Sequence, residues 1–387
     1  MNLLRAAATI SGLTFLSRVT GLIRETLVAA TYGAGPMTDA FFVAFRLPNL
    51  LRRLFAEGAF TQAFVPMLAE TRSDPGRAKA VADSVATILF WTLLLVSLAG
   101  ILAAPYLVLL VASGLREDAQ TFRIAVTLTR WMFPYILLIS LVALSAGILN
   151  LWRKFAVPAF APVLLNLSFI FAAVFLSEFF DPPIYALAAG VLIGGIAQLA
   201  WQVPALLRIG MLPRIGLSPR RAARDPIVRR ILKNMGPAVL AVSVAQFSLI
   251  INTQIASHLA PGSVSWISFG DRLMEFPTAL LGIAIGTVLL PSLSQAHADD
   301  NPAQYSALLD WGLRLCLLLA APAMVGLALM AEPLVALMFH YGAFSGHDLA
   351  MTARTVVAYS AGLFGLIAVK ILAPGFFAKQ DVRTPMK

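Results

Sequence analysis

Long apolar blocks alternate with short polar gaps along this chain. About 20 mostly apolar residues suffice to carry a helix across a hydrocarbon core of about 30 Å. Roughly ten blocks meet that length, over approximately 8–32, 39–69, 83–112, 121–151, 157–180, 184–208, 235–259, 264–296, 304–333 and 349–377. The pattern predicts an all-α integral membrane protein. Proline interrupts many of the blocks, at Pro48, Pro105, Pro134, Pro237, Pro277 and Pro322. Membrane helices tolerate such breaks where neighbouring groups or water satisfy the freed carbonyls, so kinked helices around a cavity fit the pattern.

Composition agrees: of 387 residues, 59% are hydrophobic and 12% charged, with a mean hydropathy of +0.83. The net charge of +10 is unevenly placed. Arg5, the Arg72/Arg77/Lys79 loop, the Trp152-Arg153-Lys154 corner, the stretch 208–233 and the tail with Lys379, Arg383 and Lys387 all fall on one side of the predicted layout. The alternate loops 33–38, 178–184 and 259–263 lack Lys and Arg, although 113–120 holds Arg116 beside two acids. By the positive-inside rule the N-terminus is expected in the cytoplasm, although the inside loop 296–303 carries only Asp299 and Asp300. The basic excess then reports topology and anionic headgroups, not nucleic acid. Arg5 followed by an apolar run resembles a signal peptide, but the run continues through Arg18 with no convincing cleavage site, so a retained first helix is expected.

The stretch 208–233 carries eight basic residues against the single acid Asp225. It divides the chain into an N-terminal lobe of about six helices (1–210), a basic cytoplasmic linker (211–233) and a C-terminal lobe of about four helices (234–387). The linker's second part is expected as a surface helix on the anionic leaflet, worth about 1 kcal/mol per basic residue. An internal repeat supports the two lobes. RLPNLLRRLFAEGAFTQAFVP (46–66) and RLMEFPTALLGIAIGTVLLP (272–291) share a charged start, a proline, a glycine-bearing middle and a closing proline. Near the same offset, Tyr135 and Ser145-Ala146-Gly147 match Tyr359 and Ser360-Ala361-Gly362. Parallel six-helix repeats follow, as in many transporters, and the second is expected to stop about two helices short.

Charge inside the first two blocks is the chemical signal. An Arg or Asp at mid-membrane costs at least about 2.5–3.5 kcal/mol, yet Arg18, Arg24, Asp39, Arg46, Arg52, Arg53 and Glu57 all fall there. Asp39, Arg46, Arg53 and Glu57 are spaced to share one helical stripe, unless Pro48 resets the phase and brings in Arg52. Buried ion pairs or snorkelling ends explain Arg46, Arg53 and Glu57 as well as function does. They explain Arg18 and Arg24 less well, because Glu25 is the one nearby acid on the first helix. Excess guanidinium inside a helical bundle implies a wet cavity with anionic guests, since the planar fork suits phosphate oxygens. Asp271, Arg272 and Glu275 are the second lobe's charges, the last two adjacent on one helical face.

At these residues the sequence resembles the MurJ (MviN) lipid II flippase family of the MOP exporter superfamily. The resemblance rests on Ser17-Arg18-Val-Thr-Gly21-Leu-Ile-Arg24-Glu25, Thr38-Asp39-Ala-Phe-Phe and Phe45-Arg46-Leu-Pro48-Asn49-Leu-Leu-Arg52-Arg53. Glu57-Gly58-Ala59-Phe60, Asp271-Arg272-Leu-Met-Glu275-Phe276-Pro277 and the segment Gly375 to Pro385 extend it in family order. It implies a bacterial inner-membrane protein of fourteen helices in most members, moving undecaprenyl-diphosphate-linked peptidoglycan precursor to the outer leaflet by alternating access. It also implies cavity residues at Arg18, Arg24, Arg52, Arg272, Asp39 and Glu275. Ser17, Arg53 and Asn166 join the expected substrate-binding set. Asp39 and Glu275 are expected to pair with the arginines when substrate is absent. The implied partners are lipid II, membrane lipids and a coupling cation, with no cofactor.

Enzyme chemistry has little support in the sequence. Walker, GxSxG and HExxH patterns are absent, and the lone Cys316 sits in an apolar run without an obvious base. His340 and His347 share a loop with Asp348 but lack further metal ligands. The rival readings are a cation-coupled multidrug exporter of the same superfamily, which would favour unpaired acids, and a membrane enzyme acting on polyprenyl phosphates.

Overall fold

The computed structural model describes residues 3–52, 59–278 and 284–379, and they fold as helices, with no strand among the described residues. The chain divides into two compact units, Met1–Val264 and Ser265–Lys387. Six helical stretches among the described residues are long and apolar enough to cross a membrane: Pro75–Glu117, Ala119–Leu151, Ala156–Phe179, Tyr185–Arg208, Pro302–Leu329 and Gly346–Ala378.

The first unit runs α1 (Leu3–Tyr32), α2 (Pro36–Arg52), α3 (Ala59–Glu70), α4 (Pro75–Ala112), α5 (Ala119–Met132), α6 (Tyr135–Leu151), α7 (Ala156–Phe171), α8 (Tyr185–Arg208), the single turn α9 (Pro219–Ala222) and α10 (Pro226–Ser257). Local chemistry sets the starts. Asp74 caps α4, its carboxylate accepting from the Arg77 N–H at 3.0 Å, and Pro75 occupies the first position, where a missing N–H is harmless. Asp225 and Pro226 repeat that device at α10. Within the linker α9 is one turn, and the cap at Asp225 starts α10 inside the basic stretch. Arg77 of α4 pairs with Asp225 at 2.8 Å, and Trp91 donates to the Gly216 carbonyl at 2.9 Å, so the linker lies against α4.

Helix α7 packs between α1 and α8, α2 packs on α5, α6 on α8, and α10 on α3 and α4. This unit thus extends past the basic linker to include α10, where the sequence reading begins its second lobe. Phe64, Leu68, Leu89, Leu93, Phe133, Ile136 and Leu144 fill its main core. The Gly190/Gly194 pair serves packing within the chain: a Cβ at Gly190 would stand 2.8 Å from Ala172, and one at Gly194 2.6 Å from Leu165. On α4, Leu95, Leu98, Leu102, Tyr106 and Leu110 form an exposed stripe, with Leu102 79% accessible. Such a stripe suits hydrocarbon and would be a liability in water.

The turn Ser113–Glu117 grips the end of α10. Ser113 N–H donates to Gln254 Oε1 at 2.9 Å, Ser113 Oγ lies 2.9 Å from His258 Nε2, and Gly114 N–H donates to Ser257 Oγ at 3.1 Å. Here the backbones touch: a Cβ on Gly114 would stand 2.1 Å from the Ser257 carbonyl oxygen. Asp118 follows as the cap of α5, accepting from the Gln120 and Thr121 N–H groups and from the Thr121 hydroxyl. Those bonds hold its carboxyl below the usual carboxylate range, the Thr121 side chain contributing most. The cap's contribution is thus present above the ordinary carboxylate pKa and is lost as the pH falls through the lowered one. Amide exchange at the α5 N-terminus is expected to accelerate there in wild type and to lose that pH dependence in Asp118→Asn.

The second unit continues from α11 (Ser263–Pro277) through α12 (Ala284–Ala298), α13 (Pro302–Leu329) and α14 (Ala331–Phe339) to α15 (Gly346–Ala378). Helix α15 packs on α12, α13 and α14 around Leu289, Leu293, Cys316, Leu363, Ile367 and Ile371, with Cys316 fully buried. Ser345 and Asp348 form a capping box at its start, and Asp348 Oδ1 also accepts from Trp266 Nε1 at 2.9 Å. The acid beside His347 is thereby committed to structure. Lys370 donates to the Thr278 carbonyl at 3.4 Å, beside the end of α11.

Candidate functional site in the first unit

The site begins with one face of α1. Ser17, Gly21 and Arg24 are spaced four and three apart, Thr20 lies one residue before Gly21, and all four turn toward α7. Asn166 of α7 meets this face. Its Nδ2 donates to the Ser17 carbonyl at 2.9 Å and to Thr20 Oγ1 at 3.2 Å, while its Oδ1 accepts from Arg24 Nη1 at 3.1 Å. Gly21 leaves the room: a Cβ there would already lie 3.4 Å from Asn166 Nδ2.

Arg24 is held from three sides. Nη2 donates to the neighbouring Glu25 carboxylate in an ion pair, and the guanidinium carbon stands 5.0 Å over the Phe169 ring. Phe169 is fixed in turn by Phe41 and Phe45 of α2, at 6.1 and 5.8 Å between ring centres. The Arg24 side chain is 13% exposed. A guanidinium has five N–H donors, and these contacts occupy two, leaving three for an anion's oxygens. An asparagine, a carboxylate and an aromatic face together fix the plane of the fork without neutralising all of its donors.

The other expected residues are placed as follows. Arg18, six residues before Arg24, points away from α7 and is exposed, with no hydrogen bond to a described residue. Asp39 is 6% exposed at the start of α2, and its Oδ2 accepts the Gly262 N–H at 2.7 Å. It is therefore engaged with the connection that follows α10, while the carboxylate on Arg24 is that of Glu25. Arg46 is half-buried on α2. Arg52 closes α2 with its side chain outside the description, and Arg53 and Glu57 lie outside the described residues. In the second unit Arg272 Nη1 donates to Glu275 Oε2 at 3.0 Å, both side chains being exposed on α11. Phe169 is the residue the sequence reading missed. Its signal was available, since it stands three residues after Asn166 and so shares its face.

Helices long and apolar enough to cross a membrane, with a part-buried guanidinium set in a polar seam between two helices, define the chain as a multi-helix membrane protein. The described helices superpose on an inward-facing multidrug resistance MATE transporter of the MOP superfamily with a TM-score of 0.72 at 13% identity, over 98% of this chain and 86% of that one, a likeness of fold alone. They superpose more closely on a structure described as lipid II flippase MurJ in an inward closed conformation. There the TM-score is 0.83 at 25% identity, over 97% of this chain and 77% of that one. The family pattern of lipid II flippase MurJ matches residues 28–387. A lipid II flippase MurJ of Burkholderia cenocepacia is 58% identical across all of this chain and 75% of its own length, and a probable one of Vibrio cholerae is 40% identical across all of this chain and 74% of its own. The chain belongs to the lipid II flippase MurJ family.

Proposed function

We propose that this protein translocates lipid II, the undecaprenyl-diphosphate-linked peptidoglycan precursor, from the inner to the outer leaflet by alternating access. It is a transporter and not an enzyme, and a multi-pass protein of the bacterial inner membrane, consistent with its family and its apolar helices. The observation that carries the reading is Arg24, part-buried in the α1–α7 seam with two of its five donors engaged there. A diphosphate is the part of lipid II that hydrocarbon excludes, so a fixed fork replaces its hydration while the prenyl tail stays in the bilayer.

Within that reading Arg24, Arg18, Arg52 and Arg53 of the first unit bind the diphosphate, and Arg272, their counterpart in the repeat, is a substrate-binding residue of the second unit. Ser17 and Asn166 set the position of Arg24. Asp39 and Glu275 hold the resting state, the first on the Gly262 amide and the second on Arg272. Two lobes, 1–210 and 234–387, joined by the basic linker 211–233, are the proposed organisation, with the N-terminus in the cytoplasm. Membrane lipids and a coupling cation complete the proposed partners. The multidrug-exporter reading is weaker here, because the buried acids Glu25 and Asp39 are both engaged by donors.

Leaflet-resolved labelling of lipid II, in cells depleted of their own flippase, tests this. The chain is expected to restore outer-leaflet lipid II, and Asp39→Asn and Glu275→Gln are each expected to reduce that recovery several-fold. No recovery by wild type would remove the function, and full recovery by both variants would remove the resting-state role.

A further inference from the structure

A groove of about 470 Å³ runs along α7 and α8. Val157 and Leu164 of α7 line it with Ala197, Trp201, Pro204 and Arg208 of α8. The four α8 positions recur every three or four residues and so form one stripe, about 16 Å long at 1.5 Å per residue. That length matches one leaflet, about half of a 30 Å hydrocarbon core. Leu164 lies two residues, or about 200° of helix, from Asn166, so the groove opens on the side of α7 turned away from Arg24. Trp201 packs on Phe160 at 5.0 Å between ring centres and stays 47% exposed, and the neighbouring Leu207 and Ile196 are exposed as well, as on a lipid-facing surface.

Charge is confined to one end. Arg208 closes the groove, and Arg153 and Lys154, both exposed, lie four and three residues before Val157. The chain has no acid between Asp118 and Glu178, or between Asp181 and Asp225, so nothing nearby in sequence neutralises these three cations. The α7 N-terminus between them has no side-chain cap, which adds a partial positive charge at the same end. An apolar trough one leaflet deep, with a basic mouth, complements a molecule with a hydrocarbon chain and a phosphate at its head.

We propose that this groove seats one acyl chain of an anionic glycerophospholipid, with Arg208 on its phosphate and Arg153 and Lys154 beside the headgroup. In the orientation proposed above this lipid belongs to the cytoplasmic leaflet. The site is separate from the Arg24 seat and does not depend on lipid II being the transported substrate.

Native mass spectrometry of the purified full chain, mixed with equal amounts of dioleoyl phosphatidylglycerol and dioleoyl phosphatidylcholine, tests it. The phosphatidylglycerol adduct is expected to dominate by about tenfold, with Arg208 contributing roughly 1 kcal/mol, or about fivefold, of that preference. Arg208→Gln is expected to cut that preference about fivefold, and Ala200→Phe, placed on an exposed position beside Trp201, to lower retention of both lipids. Arg24→Lys, which keeps the pairing with Glu25, is expected to leave the preference unchanged. No preference in wild type would overturn the proposal, as would a preference that survives both groove variants undiminished or that disappears with Arg24→Lys. One-for-one displacement by added undecaprenyl diphosphate would overturn it too, assigning the groove to a prenyl chain.

Discussion

Arg24→Ala is expected to abolish lipid II translocation, and Arg24→Lys to leave less than about a tenth of it. The two variants fail for different reasons. Alanine removes the Arg24 ion pair from Glu25, itself only 6% exposed, and taking one partner from a buried pair costs up to about 3–5 kcal/mol. Lysine keeps the pairing with Glu25 and therefore most of the stability, but a point charge cannot present a planar fork to two phosphate oxygens. Measuring thermal unfolding in detergent beside leaflet-resolved labelling separates these effects. The expected pattern is a lower unfolding midpoint for alanine, a near-normal one for lysine, and poor transport for both. Wild-type transport by Arg24→Lys would show that the fork geometry is irrelevant.

Gly114→Val is expected to destabilise the first unit by about 1–3 kcal/mol or more, the range for overpacking a tight contact. Among the described residues most of the other close glycine contacts are with side chains. At Gly114 the obstacle is the backbone of Ser257 and His258, within 2.1 to 2.7 Å of where a Cβ would be, so the end of α10 itself has to shift. That shift would break the bonds from Ser113 to Gln254 and from Gly114 to Ser257, and would disturb the nearby Gly262 amide that Asp39 holds. Faster amide exchange over 254–262, with a lower unfolding midpoint, is the expected readout. An unchanged midpoint in Gly114→Val would mean that the close approach is not maintained in the membrane.

Much of this was legible in the sequence for a physical reason: a bilayer forces every spanning backbone to satisfy itself, so apolar length alone announces the helices. The charges in the first blocks pointed to the site because their placement is expensive. What the sequence could not give was the partners. Asn166 was one of several polar residues in mid-helix until its amide was found bridging Ser17, Thr20 and Arg24. Asp39 also accepts the Gly262 N–H, and a backbone amide leaves no trace in a pattern of side chains. The end of the linker is a similar case, because Asp225 and Pro226 cap and start α10 inside the basic stretch and its last residues already belong to that helix.

The bond between Arg24 and Asn166 joins residues 142 positions apart. A ribosome adding about 5–20 residues per second takes roughly 7–28 s to supply the second after the first. During that interval α1 enters the membrane with its arginine but without α7, and only the adjacent carboxylate of Glu25 is at hand to offset the charge. The adjacency of Glu25 thus supplies a counter-charge that needs no later part of the chain. The α1 helix, the first made, completes its packing only once α7 has followed.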